Sequence, residues 1–483
     1  MSELPFREAA RATADLVADY LAAVPRGPVW QPMDPAARAR LLDAPLPRTG
    51  RPLTELLAAV ATEVMPAPMG NGHPRFFGWV NSAPAPAGVL ATLAAAAMNP
   101  SSAGGDHADV HLERAVVRWI AELVGFPHAP GAGLLTSGTS MATIVCLAAA
   151  RGRAAAGLGH DVRAEGLSGL PPLVGYVSGE THSCVRKAAE LLGLGSRQLR
   201  VVAADAQGRL DVAALRAAVE EDRAAGRLPF LVAASCGTVN TGAVDRFEPI
   251  ADLCAEQDLW LHIDGAYGAF GVLDPQIAHR FAGLERADSL ALDPHKWLGV
   301  PVDCGCALVR DAGQLRETFS LVPSYLRDEE AGGLGWFSEY GTEQTRPFRS
   351  LKVWATIAHR GRDGLAADIA HCTRLARRLG ELVEADPELE LLAPVETSIV
   401  AFRARPAGLS PSGLNTLNQA LPLAVQRRGQ AFVTGTVLAG REALRACLLN
   451  ATTTEADLVV LLDEVRAAVV ELTDQQLSDS ATS

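Results

Sequence analysis

Short apolar runs alternate with helical stretches across the middle of the chain, from about residue 85 to residue 353. The clearest of these runs are LVGYV (173–177), FLVAAS (230–235), LWLHI (259–263) and SLAL (289–292). Runs of this length that are each followed by a helix are typical of parallel strands buried on both faces. The pattern therefore predicts an α/β fold, with a mostly parallel central sheet that carries helices on both faces.

The segments before and after this central part have a different character. Residues 1–84 combine helical spacing with Pro-rich connections such as RGPVWQPMDP, which predicts an N-terminal helical arm. Residues 354–483 contain a helix, the strand-like run ETSIVAFRA and a closing helix, which predicts a small C-terminal α/β domain. A chain of 483 residues is also too long for one hydrophobic core. We therefore expect three parts, with residues 85–353 as the large ligand-binding domain.

The balance of charge limits the classes of partner. Acidic residues outnumber basic ones, which gives a net charge of −12 and a pI near 5.5. Nucleic acids and anionic membranes favour basic surfaces, so we expect neither as a partner and expect a small molecule as the ligand. Arg349, Lys352 and Arg445 are candidates for contacts with a ligand carboxylate, but basic side chains on helices are usually solvated, so we expect solvated charges.

Two further features concern the membrane and the cellular compartment. Residues 76–105 carry no charge, but prolines and asparagines interrupt the run, so a buried helix is expected in place of a membrane span. The eight cysteines are scattered without a CxxC motif or the spacing of a disulfide framework. This usage predicts buried thiols, a reducing cytoplasmic compartment and no metal site.

Polar side chains follow three of the predicted strands. LWLHI runs into Asp264, LVGYV runs toward His182, and SLAL runs into Asp293, His295 and Lys296. In parallel sheets the ligand lies at the carboxyl ends of the strands, so these side chains are candidates for one site. A lysine in this apolar setting is either solvated through its long stem or a nucleophile that forms a Schiff base.

The stretch GLLTSGTSMATIVCLAAAR (133–151) combines a short strand, a Gly/Ser/Thr turn and a helix. Backbone N–H groups at a helix N-terminus, with the hydroxyls of Thr139 and Ser140, can cradle a phosphate, although such a turn also serves as an ordinary helix cap. Together with the strand-end residues it provides a phosphate cradle, a stacking imidazole, a carboxylate for a ring nitrogen and an amine. These are the protein groups that pyridoxal phosphate needs.

The sequence resembles the group II pyridoxal-phosphate-dependent amino-acid decarboxylases, the family of aromatic amino-acid, histidine and glutamate decarboxylases. The matching motifs run through nearly the whole chain: HPRFFGW (73–79), TSGTSMAT (136–143), THSCVRKAA (181–189), CGTVNTGAVD (236–245), LHIDGAYG (261–268), DPHKWL (293–298), PSYLRD (323–328), FRSLKVW (348–354) and LRACLLN (444–450). DPHKW with HIDGAYG upstream is the most specific pair. The resemblance implies a type I, aspartate-aminotransferase-like fold, pyridoxal 5'-phosphate as cofactor, an amino-acid substrate and a homodimer with active sites at the interface.

The resemblance also assigns roles to single residues. It implies that Lys296 forms the Schiff base, that Asp264 pairs with the pyridine nitrogen and that His182 stacks on the ring. Asp293 stands where many members have asparagine, which puts an anion near the expected phosphate. The full set of implied cofactor-binding residues is Gly138, Thr139, Ser140, His182, Thr238, Asp264, Asp293, His295 and Lys296.

Tyr325, in PSYLRD, bears on the type of reaction. It resembles a tyrosine on a flexible loop of the family, whose hydroxyl returns a proton to the α-carbon after CO₂ leaves. Family members with phenylalanine at this position tend to make aldehydes by oxidative deamination, so the tyrosine favours simple decarboxylation to an amine. Two alternatives stay open: an aldehyde-forming or other C–C lyase reaction, and a noncatalytic binding or scaffold protein.

The substrate-binding candidates are Asn71, Trp79, Ser82, Asn99 and Ser101. Aromatic-specific relatives place bulky residues at positions that align with Asn71, Asn99 and Ser101. A pocket with buried amides disfavours an apolar ring, which would leave those groups without hydrogen bonds. We therefore predict a substrate with a polar side chain, whereas Trp79 could supply an aromatic wall. The sequence does not name the amino acid.

Overall fold

The computed structural model describes residues 3–321 and 334–482. The chain divides into two compact units: a larger one of residues 84–376 and 393–399, and a smaller one of residues 1–83, 377–392 and 400–483. The N-terminal segment and most of the C-terminal part therefore belong to the same unit. The three-part division expected from the sequence stays a prediction.

Helices and strands alternate through most of the chain. The helices are α1 (Glu3–Ala23), α2 (Pro35–Leu42), α3 (Leu53–Ala59), α4 (Pro86–Met98), α5 (Ala108–Val124), α6 (Thr139–Ala156), α7 (Val162–Glu165), α8 (Ser183–Leu191), α9 (Val212–Ala224), α10 (Phe247–Glu256), α11 (Ala312–Phe319), α12 (Arg349–Glu384), α13 (Pro411–Arg428) and α14 (Glu455–Thr482). The strands are β1 (Gly133–Thr136), β2 (Leu173–Ser178), β3 (Leu199–Val202), β4 (Leu228–Ser235), β5 (Trp260–Asp264), β6 (Ser289–Leu292), β7 (Gly305–Val309), β8 (Leu389–Leu391), β9 (Ile399–Ala404), β10 (Thr434–Leu438) and β11 (Arg441–Cys447). Helix α12 is interrupted at Gly361, whose φ of +65° is a conformation that favours glycine.

The larger unit is built on a sheet with the strand order β1-β7-β6-β5-β4-β2-β3. The pairs β2–β3, β2–β4, β4–β5 and β5–β6 are parallel, whereas β7 runs antiparallel to both β6 and β1. Helix α6 packs against β5, β6 and β7, while α9 packs against β4 and α10 against β5. The predicted α/β fold with a mostly parallel central sheet is confirmed.

The four apolar runs predicted as strands form β2, β4, β5 and β6 of this sheet. Every residue of β2, β5 and β6 is buried, so neither face of these strands meets solvent. A strand covered on both faces does not alternate between polar and apolar residues. The unbroken apolar composition of these runs was therefore the feature that predicted buried strands.

The smaller unit contains a second sheet with the order β10-β11-β9-β8. Helix α13 packs against β10 and β11, and α14 packs against α13, which confirms the predicted small C-terminal α/β domain. In the same unit, the Phe76 and Phe432 rings stack with their centroids 4.7 Å apart, next to the buried Val29. The N-terminal segment thus contributes apolar side chains to the core of this unit.

Helix α4 differs from the buried helix expected within residues 76–105. Only a narrow stripe that includes Gly88 and Ala91 is buried, whereas Leu90, Leu93 and Met98 are 67%, 59% and 59% exposed. The expectation is wrong because the helix presents most of its charge-free surface to the outside of the chain. Across residues 3–321 and 334–482, no helix is long and apolar enough to cross a membrane.

Candidate active site

The carboxyl ends of several strands meet at one edge of the large sheet. Strand β5 ends at Asp264, β6 is followed by Asp293, and β1 leads into the N-terminus of α6. Because β1 and β6 both run antiparallel to β7, they point in the same direction as each other and as β5. Ligands of such sheets lie at this edge, so the structure brings the predicted site residues to a suitable place.

Asp264 is held at the end of β5 by two hydrogen bonds. Its carboxylate is buried; Oδ1 accepts a bond from the Ala266 N–H at 3.1 Å, and Oδ2 accepts one from the Cys184 thiol at 3.4 Å. A carboxylate has about four acceptor positions, so these two donors do not exhaust it. Asp264 can therefore accept a further hydrogen bond, and a cationic N–H is the donor that a buried anion favours most.

Cys184 is a residue that reasoning from sequence missed. Burial, reinforced by the neighbouring Asp264 carboxylate, raises the pKa of its thiol well above the usual range. The sulfur therefore keeps its proton and donates it to Asp264, while the Thr143 hydroxyl lies 3.8 Å from the sulfur. The signal in the sequence is its place two residues after His182, in the first turn of α8.

His182 caps the N-terminus of α8 through its side chain. Its Nδ1 accepts a hydrogen bond from the Cys184 N–H at 3.2 Å, which leaves Nε2 to carry the proton of the neutral ring. Partial desolvation lowers the pKa of this imidazole, an effect that the Asp264 carboxylate opposes and the Lys296 ammonium reinforces. A neutral imidazole at the sheet edge suits stacking on a flat ligand and later proton exchange.

Lys296 lies in the turn that follows β6, in contact with Asp293. Its Nζ is 3.1 Å from Asp293 Oδ2, and the two side chains are 21% and 4% exposed. His295 lies beside the same carboxylate, with its Nε2 3.7 Å from Oδ2 and its Nδ1 2.7 Å from the Cys304 carbonyl oxygen and 3.1 Å from the Cys304 nitrogen. Burial lowers the pKa of His295, so its ring favours the neutral form. The amine is thus partly buried and paired with an anion.

The N-terminus of α6 begins with Gly138, Thr139 and Ser140, next to this turn. The Thr139 N–H donates to Asp293 Oδ1 at 2.7 Å. The Thr139 hydroxyl is buried, and among the described residues it has no hydrogen-bond partner. Since a buried hydroxyl without a partner is costly, this atom indicates a group that the chain does not supply. A phosphate at the helix N-terminus fits these residues.

Thr238 belongs to the turn after β4. Its hydroxyl oxygen is 3.0 Å from that of Thr241 and accepts a hydrogen bond from the Ala243 N–H at 3.1 Å. The preceding Gly237 has a φ of +98°, and a Cβ there would lie 2.7 Å from the Tyr267 ring, so only glycine fits. These contacts fix the turn, and the role of Thr238 toward a cofactor stays a prediction.

The predicted substrate-binding residues have structural roles of their own. Asn71, Trp79 and Ser82 belong to the smaller unit, and the Asn71 side chain donates to the Ser82 carbonyl at 2.9 Å. Asn99 and Ser101 belong to the larger unit, where Asn99 ends α4 with a left-handed φ of +49°. Asparagine tolerates this conformation better than most residues. Substrate recognition by these residues stays a prediction.

The predicted proton donor, Tyr325, lies outside the described residues, in the segment 322–333. The described chain stops at Leu321 and resumes at Leu334. Its proposed action on the substrate therefore stays a prediction based on the motif.

Arg349, Lys352 and Arg445 differ from the expectation of solvated charges. They are 5%, 7% and 4% exposed. Arg349 pairs with Glu343 at 3.0 Å, and both Arg349 and Lys352 lie within 4 Å of Asp303. Desolvation lowers the pKa of Lys352, which the Asp303 carboxylate partly offsets. The expectation is wrong because the first turns of α12 face the protein, where acidic neighbours balance the two cations.

His182, Cys184 and Asp264 are also a set of potential metal ligands, because one donor atom of each lies within 4.8 Å of the others. Imidazole, thiolate and carboxylate are all ligands of zinc. The Cys184 thiol, however, already donates a hydrogen bond to Asp264 Oδ2 at 3.4 Å, so two of the three donor atoms are bound to each other. We interpret the three side chains as the surroundings of an organic ring.

The chain is similar to known proteins over almost its full length. Residues 35–405 match the family model described as the pyridoxal-dependent decarboxylase conserved domain. The aromatic-L-amino-acid decarboxylase of Bacillus atrophaeus is 32% identical over 477 residues, which cover 98% of this chain and 97% of that protein. The histidine decarboxylase of Drosophila melanogaster is 32% identical over 477 residues, which cover 95% of this chain and 54% of that protein. The crystal structure of Oryza sativa TDC with PLP and tryptamine has a TM-score of 0.90 at 27% identity, covering 98% of this chain and 99% of that one.

Proposed function

This chain belongs to the family of pyridoxal-dependent decarboxylases, and we propose that Lys296 is the residue through which it holds its cofactor. The chain is a pyridoxal-phosphate-dependent amino-acid decarboxylase. One observation carries the proposal for Lys296: its amine and the Thr139 N–H share the buried carboxylate of Asp293, at 3.1 and 2.7 Å. An amine that forms a Schiff base and a helix N-terminus that binds phosphate are thus neighbours.

Bound pyridoxal phosphate supplies a protonated pyridine ring, which takes up the electron pair that remains when the substrate carboxylate leaves as CO₂. Asp264 is proposed to accept the hydrogen bond from the ring nitrogen, because a buried anion there keeps that nitrogen charged. The Cys184 thiol supports this role, since it binds Oδ2 without adding a competing charge. The remaining cofactor contacts are proposed for Gly138, Thr139, Ser140, Thr238 and His295, and Asp293 lies beside them.

Two residues are proposed to act on protons. His182 is proposed to stack on one face of the cofactor ring and to exchange a proton near the substrate amine, and its capping bond from the Cys184 N–H supports a neutral ring. Tyr325 is proposed to return a proton to the α-carbon after CO₂ has left, since a tyrosine hydroxyl carries its proton at neutral pH. A tyrosine at this position favours the amine as product. The aldehyde-forming reaction is the second candidate. It would use the same residues, but the α-carbon would be oxidised to an aldehyde instead of protonated.

The proposed substrate is an L-amino acid with a polar side chain. The family resemblance supports it, since Asn71, Asn99 and Ser101 are polar residues where aromatic-specific members are expected to carry bulky ones. Histidine is the first substrate to test, because relatives of equal identity are named as aromatic amino-acid and histidine decarboxylases. Trp79 would favour a ring in the side chain, which histidine also has.

Purified protein loaded with pyridoxal phosphate is given a panel of L-amino acids, and mass spectrometry detects loss of CO₂. We expect one amine as product, and Lys296→Ala is expected to lower the rate by about a thousandfold or more, the size typical of losing a covalent nucleophile. Tryptophan or tyrosine as the best substrate would exclude the polar-side-chain proposal. Aldehyde with ammonia and peroxide would indicate the second reaction, and no bound chromophore would indicate a noncatalytic protein.

A homodimer and a cytoplasmic location complete the proposal. The exposed, charge-free surface of α4, with Leu90 and Leu93, supports a second copy as the partner, because isolated chains rarely leave such a patch in water. Eight buried cysteines support a reducing compartment.

A further inference from the structure

Asp293 already occupies the two groups that a bound pyridoxal phosphate would use. Its Oδ1 accepts the Thr139 N–H at the start of α6, and its Oδ2 lies 3.1 Å from the Lys296 amine. The side chain is only 4% exposed, so this carboxylate is largely removed from water and depends on these two partners. One internal anion therefore holds the helix N-terminus and the reactive amine together.

The Thr139 hydroxyl provides a second, independent observation at the same position. It is buried, and no other group in the described part of the chain binds it. Asp293 thus satisfies the backbone N–H of Thr139 but leaves the hydroxyl of the same residue without a partner. A buried hydroxyl and a backbone N–H at the start of one helix suit an oxygen-rich group such as a phosphate.

We propose that Asp293 is an internal competitor of the cofactor phosphate, which weakens the binding of pyridoxal phosphate and makes the cofactor easier to exchange. The inference deepens the proposed function and rests on its assignment of the phosphate to Gly138, Thr139 and Ser140. A backbone N–H at 2.7 Å from one anion cannot bind a second anion at full strength. The carboxylate must therefore give up Thr139 when the phosphate binds, or remain beside it and repel it.

The second partner of Asp293 strengthens this competition. Lys296 is the amine that reacts with the cofactor aldehyde, so it leaves its contact with Asp293 when the cofactor binds. His295, whose Nε2 is 3.7 Å from Asp293 Oδ2, can neutralise the Asp293 carboxylate only when its ring is protonated, and burial lowers the pKa of that ring. Asparagine at position 293 would remove the anion and keep the shape, and its amide would donate a hydrogen bond to the phosphate.

The experiment measures the affinity of the apoprotein for pyridoxal phosphate by equilibrium dialysis and Schiff-base absorbance. Asp293→Asn is expected to bind at least about tenfold more tightly than the wild type, with slower cofactor dissociation. Asp303→Asn is the matched control, because it also removes one negative charge. The Asp303 carboxylate is 45% exposed, and its ion pairs are with Arg349 and Lys352. The control is expected to change the affinity by less than about twofold.

Pyridoxal, which lacks the phosphate, distinguishes the helix N-terminus from the amine as the point of competition. Asp293→Asn is expected to raise the affinity for pyridoxal clearly less than that for pyridoxal phosphate, because with pyridoxal only the contact between Asp293 and the Lys296 amine is relieved. An equal gain for both probes, or no gain for pyridoxal phosphate in a variant with a native circular dichroism spectrum, would overturn the inference. Asp293→Ala gives a second test if the asparagine variant does not fold. Failure of the wild type to bind pyridoxal phosphate would refute the proposed function instead.

Discussion

His262 is a buried histidine on β5, two residues before Asp264, that the proposed chemistry does not use. The Ser289 hydroxyl accepts a hydrogen bond from the Trp260 indole at 2.7 Å and lies 2.9 Å from His262 Nδ1. The other ring nitrogen, Nε2, is buried and finds no partner within residues 3–321 and 334–482. Burial lowers the pKa of His262 to about 4, although the nearby Asp264 carboxylate acts in the opposite direction. The residue is therefore held in its neutral form.

This depressed pKa makes the stability of the fold depend on pH. An unfolded histidine has a pKa near 6.5, so between about pH 6.5 and 4 the unfolded chain binds more protons than the folded chain. The stabilisation is complete above pH 6.5 and is lost as the pH falls toward 4. We expect His262 to account for about 2 kcal/mol of lost unfolding free energy between pH 7.5 and pH 5.

Denaturant unfolding at these two pH values checks this prediction with His262→Gln, which does not titrate, and with His359→Gln, an exposed control. The first variant should flatten the pH dependence and the second should leave it unchanged. Asp245, whose pKa burial raises to about 6, acts with the opposite sign, so only the difference between variants isolates His262. Equal slopes for His262→Gln and wild type would contradict the prediction.

Reasoning from sequence located the strand-end residues because their local pattern is specific. Asp264, Lys296 and His182 each follow an apolar run, and the sheet topology then brings them to one edge. Cys184 could not be assigned in this way, because its contact with Asp264 joins positions 80 residues apart. The contact of Asp293 with Thr139 likewise depends on how β6 and α6 pack, which no single stretch of sequence contains.

At the scale of elements, a buried ion pair connects α5, β1 and the segment before α12. Both side chains, Glu113 and Arg346, are 1% exposed, and Arg346 Nη1 lies 3.0 Å from Glu113 Oε2. Glu113 also accepts the Leu135 N–H at 2.9 Å, while Arg346 donates to the Ser102 carbonyl at 2.9 Å. The pair therefore satisfies backbone groups of two other segments.

Removing one partner of this pair should cost far more than replacing both. Arg346→Met leaves Glu113 buried without its cation, and we expect the unfolding free energy to fall by about 3–5 kcal/mol. Glu113→Gln leaves Arg346 with Glu343, 3.8 Å from its Nε, so we expect a smaller loss in that variant. The double variant should lose clearly less than the sum, which a double-mutant cycle by denaturant unfolding measures. Strict additivity would show that the two charges act independently.

The sequence predicted the elements that are buried within the chain well. It predicted poorly the elements whose surroundings depend on distant segments or on a second molecule. The strands β2, β4, β5 and β6 were evident from composition, because burial on both faces requires apolar residues. The exposure of α4 was not evident from composition, because a charge-free helix can lie either in a core or at an interface between molecules. The charge of Arg349 and Lys352 likewise led to the wrong prediction that they are solvated, because their acidic neighbours come from other segments.

At the scale of the whole molecule, α4 supports a prediction about assembly. For the proposed homodimer, Leu90→Glu combined with Leu93→Glu should produce monomers in sedimentation velocity, with the dissociation constant raised at least about a hundredfold. The reason is that burying each leucine contributes about 1.5–3 kcal/mol, and a glutamate in its place must be desolvated. Leu158→Glu, at a leucine that is 52% exposed after α6, is the matched control. A variant that sediments like the wild type would exclude α4 as the interface.

All eight cysteines lie within the described residues, and all are buried. Desolvation raises the pKa of Cys146 and Cys304 to about 12, so almost none of the reactive thiolate forms at neutral pH in the folded chain. An alkylating reagent therefore modifies a cysteine only where the surrounding structure opens. The thiols are spread over α6, α8, α10, α12, β7, β11 and two connecting segments. The mass added at each cysteine over time therefore reports when the region around it opens.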